Sequence, residues 1–340
     1  MGVNISSLLI SHELSLNDLA HKTVVVDAPN HLYQFLTTIR GRDGSVFTNS
    51  KGEVTSHLIG LFSRTANLMQ RNIKLAYVFD GVVPKLKMQE LEKRKAAKAK
   101  AHESFLKSVD QENVELMKKF AGRSSRLTRE MIVEAKKLLE LMGVPYVDAP
   151  SEAEAQASHM VKSGSAYAIS SQDADSFVFG APRLVRNLSI SGKRKVAGKL
   201  AYINVFPQLL ILEENLKELN LNSDQLIVLA MLVGTDYNPG GVPGIGPKKA
   251  LTIARSSDFD KIFEQVKWSE HFNYSWREVF DQFKNIPVTD DYRLAWERPR
   301  REEIIDFLCK DHGFSVDRVT SSLDSISKSL NMQRGLGEFI

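Results

Sequence analysis

The sequence predicts an α/β fold with a mostly parallel central sheet and helices on both faces. Three short apolar runs, rich in β-branched and aromatic residues, indicate buried strands: Thr23–Asp27, Leu75–Asp80 and Tyr167–Asp173. Helical patterns such as 57–69 and 128–142 lie between them, and strands that alternate with helices pack as a parallel sheet. Each run ends in aspartate, and ligands of such sheets bind at the carboxyl ends of the strands.

Composition excludes several classes of protein. The 340 residues include 45 Lys+Arg, 41 Asp+Glu and 43% hydrophobic residues, which suits one large or two ordinary folded domains and not a disordered chain. The single cysteine, Cys309, cannot form an intrachain disulfide or a cysteine-based zinc site, so a reducing compartment is expected. The longest clean apolar run, 226–233, is far shorter than the roughly 20 residues that cross a bilayer, so no membrane span is predicted.

A charged, alanine-rich insert runs from Pro84 to about Arg129, and helix is the only regular structure that it favours. Residues 85–100 carry seven Lys/Arg against Glu90 and Glu92. The insert begins just after the strand-terminal Asp80, and it ends before the helix that leads to the next candidate acids. It is therefore either a solvated helix or a basic element that overhangs the site and meets a polyanion.

Further candidate carboxylates lie in the segment 152–236. Ser151 and Glu154 have the spacing of a capping box, whereas Glu152 lies outside the box in the same first helical turn. Asp173 and Asp175 would point to the same face of an extended chain. Together with the acid that follows the apolar helix 225–233, we predict one cluster of seven carboxylates: Asp27, Asp80, Glu152, Glu154, Asp173, Asp175 and Asp236.

Such a cluster would repel itself unless cations neutralise it. Magnesium favours carboxylate and water ligands, and two such ions stabilise the attacking and leaving oxygens of an in-line phosphoryl displacement. We therefore predict two Mg²⁺ ions per site, with Mn²⁺ as a possible substitute. His12, His21 and His31 are scattered along the chain and predict no zinc site.

A glycine-rich turn, 240–250, joins two predicted helices. Its glycines, Gly244 and Gly246 among them, expose backbone amides that can hold phosphate at a helix N-terminus, and Lys248 and Lys249 add charge. It lacks the Gly-Lys-[Ser/Thr] ending of a Walker loop. The turn is either a plain hairpin connection or a grip on the backbone of duplex DNA.

These motifs resemble the flap endonuclease family of 5′ structure-specific nucleases, and in particular its archaeal members. The likeness extends over nearly the whole chain, from Met1-Gly2-Val3 through Val26-Asp27-Ala28, Tyr77–Gly81, Asp148–Ala155 and Gly234–Tyr237 to Gly244–Lys249. All seven family carboxylates match. The resemblance implies a Mg²⁺-dependent phosphodiester hydrolase that cuts 5′ flaps at single-/double-strand junctions during Okazaki fragment maturation and DNA repair, with 5′–3′ exonuclease activity.

The resemblance also implies roles for individual residues. Lys87 and Arg94 would reach the scissile phosphate, Tyr33 would stack on a base near the cut, and Thr55 would lie near a one-nucleotide 3′ flap. Gly2 would become the N-terminus near the site after removal of Met1. The insert would be a gateway and cap for the 5′ strand, and the glycine-rich hairpin a K⁺-assisted grip on downstream duplex.

The tail is similar to a sliding-clamp-binding peptide through Gln333, Leu336, Phe339 and Ile340, although Ile340 replaces an aromatic residue. No basic extension follows, which favours an archaeal source and a cytoplasmic address; a eukaryotic protein would be nuclear. A rival function from another class is a non-catalytic DNA-binding clamp partner, which would keep Lys248, Lys249 and the tail but lose carboxylates.

We expect a monomer with one discontinuous nuclease domain, 1–330. It divides into an N-terminal part (1–84), the gateway and cap insert (85–129), an intermediate part (130–257) with the helical hairpin 225–255, and C-terminal helices (258–330). The clamp-binding tail is 331–340.

Overall fold

The computed structural model describes residues 3–41, 44–110, 125–189, 192–195 and 202–337. Its central sheet has seven strands in the order β1-β9-β6-β5-β2-β3-β4. Strands β2 to β6 are parallel to their neighbours, whereas β9 runs antiparallel to β6 and to β1. The remaining strands, β7 and β8, form a separate antiparallel ribbon. The bounds are β1 His12–Glu13, β2 Thr23–Asp27, β3 Lys74–Phe79, β4 Tyr146–Asp148, β5 Ala168–Ser170, β6 Arg183–Arg186, β7 Gly192–Lys195, β8 Tyr202–Val205 and β9 Gln208–Ile211.

Helices cover both faces of the sheet, and successive strand residues point to opposite faces. Val24 and Val26 of β2 belong to one apolar core and Val25 to the other. The described helices are α1 Ala28–Thr38, α2 Ser56–Met69, α3 Met88–Asp110, α4 Arg129–Leu141, α5 Ala153–Lys162, α6 Asp175–Val178, α7 Leu212–Leu219, α8 Ser223–Val233, α9 Pro247–Ala254, α10 Phe259–Gln265, α11 Trp268–His271, α12 Trp276–Lys284, α13 Arg301–Ile305 and α14 Val316–Gly337. The α/β prediction is confirmed.

The insert begins as the sequence predicts, with a short 3₁₀ turn at Lys85–Lys87 followed by the long helix α3. Residues 111–124 of the insert lie outside the described ranges. The chain returns through α4, where the Thr128 hydroxyl accepts a hydrogen bond from the Met131 amide and caps the helix.

The interpretation of 258–330 as helices is wrong for the segment around Trp296. Residues 285–300 contain no helix or strand, and the indole of Trp296 donates a hydrogen bond to the carbonyl of Leu75 at 2.7 Å. Backbone amides in the same segment also donate to carbonyls at the end of α4, from Glu297 to Gly143 and from Arg300 to Leu141. Trp268 and Trp276 do lie on helices, and both rings pack on Phe263.

No helix among the described residues is long and apolar enough to cross a membrane.

Candidate active site

The first two predicted carboxylates lie at the carboxyl end of the sheet. Asp27 is the last residue of β2, and its side chain accepts a hydrogen bond from the Asn30 amide at the start of α1. Asp80 directly follows β3, and its carboxylate accepts one from the Ala153 amide at 2.8 Å. The next position, Gly81, requires glycine, because an added Cβ would lie 1.9 Å from the carbonyl oxygen of Ala149.

The predicted capping box at the next helix is not formed. Helix α5 begins one residue later than that motif requires, with Glu152 at the N-cap and no side-chain capping bond. The Ser151 hydroxyl donates instead to the carbonyl of Val82. Asp80 accepts from the first amide of α5, and the half-buried Glu154 carboxylate lies in the cluster instead of capping the helix.

Asp173 and Asp175 reach the site by a different backbone path from the one predicted. Strand β5 ends at Ser170, and Asp175 is the first residue of the short helix α6, so the two are not on an extended chain. Asn30 donates from its side-chain amide to Asp173 at 3.0 Å. The backbone amide of Val3 donates to Asp175 at 2.5 Å, which ties the N-terminal segment to the cluster.

The turn that connects α8 to Asp236 requires glycine. Gly234 ends α8 with a φ of +114°, and an added Cβ would lie 2.6 Å from the amide nitrogen of Gly241. The neighbouring Tyr237 is buried, and its hydroxyl faces the Glu152 carboxylate. That hydroxyl has no hydrogen bond of good geometry among the described residues.

The carboxylates interact strongly with one another. Burial, and after it the charges of Asp80 and Asp173, raise the pKa of Asp27 to about 8, although the Asn30 amide opposes the shift. Burial and neighbouring carboxylates likewise raise the pKa of Asp175 to about 7 and that of Glu154 well above its ordinary value. The cluster therefore resists carrying its full negative charge.

Two cations of the insert neutralise part of this charge. The ammonium group of Lys87 lies 2.7 Å from Glu152 and 3.1 Å from Asp236. Arg94 binds Asp236 and, at 2.8 Å, Glu90 on its own helix. Burial opposes the charge of Lys87, but the carboxylates outweigh it and raise its pKa above the ordinary value. The structure thus brings both predicted basic residues to the predicted carboxylates.

The donor set suits a hard divalent cation, because it consists of closely spaced carboxylate oxygens, several of them buried, that repel one another. As they are placed within the described ranges, however, no three Asp, Glu, His or Cys side chains form a group that could hold a metal ion. Lys87 and Arg94 take the positions beside Glu152 and Asp236 instead. Magnesium binding therefore stays a prediction.

Two residues predicted to contact DNA, Tyr33 and Thr55, lie in different surroundings. Tyr33 lies on α1 near the insert, and the ammonium of Lys98 stands 4.4 Å from the centre of its ring. Thr55 is only 3% exposed, and its amide donates to the carbonyl of Phe47. The base-stacking role of Tyr33 and the 3′-flap role of Thr55 stay predictions.

The helical hairpin is present as predicted. Helices α8 and α9 are joined by the glycine-rich turn, Gly244 has a φ of +76°, and an added Cβ at Gly244 or Gly246 would meet nothing within 4 Å. Lys248 and Lys249 are exposed. The turn is thus open to a close approach by a ligand.

Several predicted residues cannot be placed. Gly2, Phe339 and Ile340 lie outside the described residues. Gln333 and Leu336 belong to the backbone of α14, but their side chains are not described. The clamp-binding tail and the role of Gly2 stay predictions.

Three supporting side chains were missed from the sequence: Tyr237, Asn30 and Ser171, whose hydroxyl donates to Glu154 at 3.3 Å. Each lies within three residues of a predicted ligand. The useful signal would have been a polar side chain next to a strand-terminal acid, because the partners of a buried carboxylate must come from nearby backbone or loops.

Comparisons with known proteins place this fold and site in one class. The XPG N-terminal domain model matches residues 1–101 and the XPG I-region model matches residues 143–236, which together exceed half of the chain. A solved flap endonuclease-1 from Methanococcus jannaschii has a TM-score of 0.77 and 40% identity, covering 98% of this chain and 100% of that one. The catalytic core of Rad2 shares the fold, with a TM-score of 0.67 at 23% identity over 95% and 97% of the two chains. The class is therefore the XPG-type nucleases.

Curated relatives identify the family within this class of nucleases. Flap endonuclease 1 of Pyrococcus furiosus is 51% identical over 97% of this chain and 96% of its own, and that of Thermococcus onnurineus is 50% identical over the same shares. The chain belongs to the flap endonuclease 1 family. The prediction of a flap endonuclease resembling the archaeal proteins is confirmed.

Proposed function

We propose that the chain hydrolyses DNA phosphodiesters where a 5′ flap meets duplex, using two Mg²⁺ ions that the seven carboxylates hold. The observation that supports this most is the convergence of all seven at one end of the sheet, with two cations of the insert already among them. Mn²⁺ has the same preference for oxygen ligands and would substitute.

The bound ions would supply charge neutralisation and Lewis acidity at the reacting phosphate. The chain's own residues hold and orient the phosphate. Bound ions would compete with Lys87 and Arg94 for Glu152 and Asp236, and the two basic side chains would then turn towards the scissile phosphate. Arg94 suits this role because its planar guanidinium forms two parallel hydrogen bonds to phosphate oxygens.

Tyr33 would stack on a base beside the cut. In the present structure Lys98 covers its ring at 4.4 Å, so a base and the ammonium compete for one face. Helix α3 leads away from this point and carries the 5′ strand through the gateway and cap. The Thr55 side chain is itself buried, so the residues around it would make the contact with a 3′ flap.

The hairpin between α8 and α9 would grip downstream duplex. Gly244 and Gly246 leave room for phosphate or a K⁺ ion beside the backbone, and Lys248 and Lys249 are exposed next to them. These contacts are independent of base sequence. The tail, from Gln333 to Ile340, would bind a sliding clamp, and a monomer would act in Okazaki fragment maturation and repair, with 5′–3′ exonuclease activity at nicks.

End-labelled double-flap DNA tests the proposal directly. The wild type should give one product that maps to the junction, only when Mg²⁺ is present. Asp175→Asn should bind the substrate without cutting it, whereas Asp324→Asn, which removes a surface partner of Arg301, should cut normally. Binding without cleavage by the wild type, with any divalent ion, would favour the non-catalytic clamp partner.

A further inference from the structure

Four cations gather at the amino end of the sheet, opposite the carboxylate cluster. The strand order β6-β5-β2-β3 places the beginnings of these strands side by side. Arg183 begins β6, Lys22 directly precedes β2, and Lys74 begins β3. Lys162 ends α5 and lies over Gly180, three residues before Arg183. We call these four residues the amino-end patch.

Aromatic rings hold three of the four cations in place. The Lys22 ammonium and the Arg183 guanidinium both lie over the ring of Tyr167, at 4.0 and 4.8 Å from its centre. Lys74 lies over Trp296 at 5.3 Å. Arg183 also donates to the carbonyl of Tyr167. Ring contacts of this kind fix the direction of a cation without neutralising its charge.

No carboxylate neutralises the patch. Within the described part of the chain, none of the four nitrogen groups lies within 4 Å of a carboxylate oxygen, although many other lysines and arginines do, Lys261 and Lys310 among them. The nearby Lys284 is itself paired with Asp224. The patch is thus a concentration of positive charge that the fold leaves unsatisfied.

We propose that the amino-end patch binds the phosphate backbone of a second DNA duplex, which the enzyme does not cut. Strand β2 alone is five residues long, so the patch and the carboxylate cluster are separated by roughly 17 Å of extended chain. A duplex bound here would not reach the active site. The second duplex is therefore a separate molecule and not an arm of the substrate being cut.

The chemistry favours nucleic acid over an acidic protein. Protein interfaces depend on apolar anchors at their centre, and none of the described exposed large apolar residues belongs to these strand beginnings. The ring of Tyr167 is engaged by two cations of the chain itself, so it is not a free platform for an unpaired base. What remains is sequence-independent contact with phosphates.

The test uses the full chain with its active site already filled. Saturating unlabelled double-flap DNA is bound in EDTA, and a short fluorescent blunt duplex is then titrated at several salt concentrations while anisotropy is recorded. The wild-type complex should capture the duplex. The double variant Lys22→Gln/Lys74→Gln should bind it at least about fivefold more weakly, and the slope of log Kd against log salt should fall by about two phosphate contacts.

The matched control is Lys261→Gln/Lys310→Gln, which removes two surface lysines that are paired with carboxylates. It should leave duplex capture unchanged, and both double variants should cleave flap DNA at the wild-type rate. Glutamine removes the charge and keeps a polar, unbranched side chain, and thermal unfolding would show that the fold is intact. Equal capture and equal salt slopes in the two double variants would overturn the proposal. Preferential binding of a polyglutamate peptide would also overturn it, because an acidic protein would then be the partner.

Discussion

Replacing Lys87 by Met should destabilise the metal-free protein, although Lys87 is predicted to serve the reaction. The ammonium is 20% exposed and contacts Glu152 and Asp236, which are 9% and 14% exposed. Removing one partner of a fully buried ion pair costs about 3–5 kcal/mol, and partial exposure reduces this. Because the abandoned carboxylates can take up protons, we expect a loss of about 2 kcal/mol.

The assay is urea unfolding in EDTA at mildly alkaline pH, with Lys261→Met as the matched control. Lys261 is paired with Asp258, but it is 82% exposed, and solvent screens such a pair so that it contributes little to stability. Asp175→Asn should have the opposite sign to Lys87→Met: it removes a charge that its neighbours repel, and its amide oxygen can still accept from Val3. If Lys87→Met were as stable as Lys261→Met, Lys87 would not be neutralising the cluster.

Three further predictions concern stability, rate and partner binding. Burial lowers the pKa of His31 from 6.5 to about 4, so the unfolded chain binds the extra proton between these values and the His31 contribution to stability should fall by about 3 kcal/mol as pH drops from 6.5 to 4. The raised carboxylate pKa values act in the opposite direction, so the loss is measured as the difference in chemical unfolding between the wild type and His31→Gln, and a constant difference across this pH range would contradict it. Arg94→Ala should lower the single-turnover rate, whereas Lys249→Ala should weaken binding and reduce its salt slope by about one phosphate contact; loss of affinity alone in both would remove the gateway role. Deleting 333–340 should spare flap cleavage but abolish stimulation by the clamp, and Ile340→Phe should tighten clamp binding measured by calorimetry; equal affinities would place Ile340 outside the pocket.

Much of the fold was predictable because local pattern and tertiary structure agree. The run ending at Asp27 is a strand with the predicted bounds, since its valines serve cores on both faces. Asp80 follows its strand by one residue and Asp173 by three. The carboxyl ends of neighbouring parallel strands lie at the same edge of the sheet. An error of one to three residues in a predicted strand end therefore did not change which acids come together.

The failures arose where a distant residue competes for a local group. No capping box forms at Ser151, whose hydroxyl donates to the carbonyl of Val82, 69 residues away in sequence. The predicted C-terminal helices are interrupted at Trp296, whose indole donates to the carbonyl of Leu75 across 221 residues. Periodicity and capping rules describe contacts within one segment, so neither long-range hydrogen bond could be read from the sequence.

The acidic cluster and the basic insert were predicted separately, yet the structure makes them one electrostatic unit. Seven clustered carboxylates, Asp27, Glu152 and Asp175 of them buried, resist ionising together without cations, and the chain supplies Lys87 and Arg94 from the beginning of the insert. The same contacts hold α3 over the carboxyl end of the sheet. It follows that any change in the charge of the cluster also changes what holds the insert there. The charge of the carboxylate cluster and the position of α3 are therefore set by the same ion pairs.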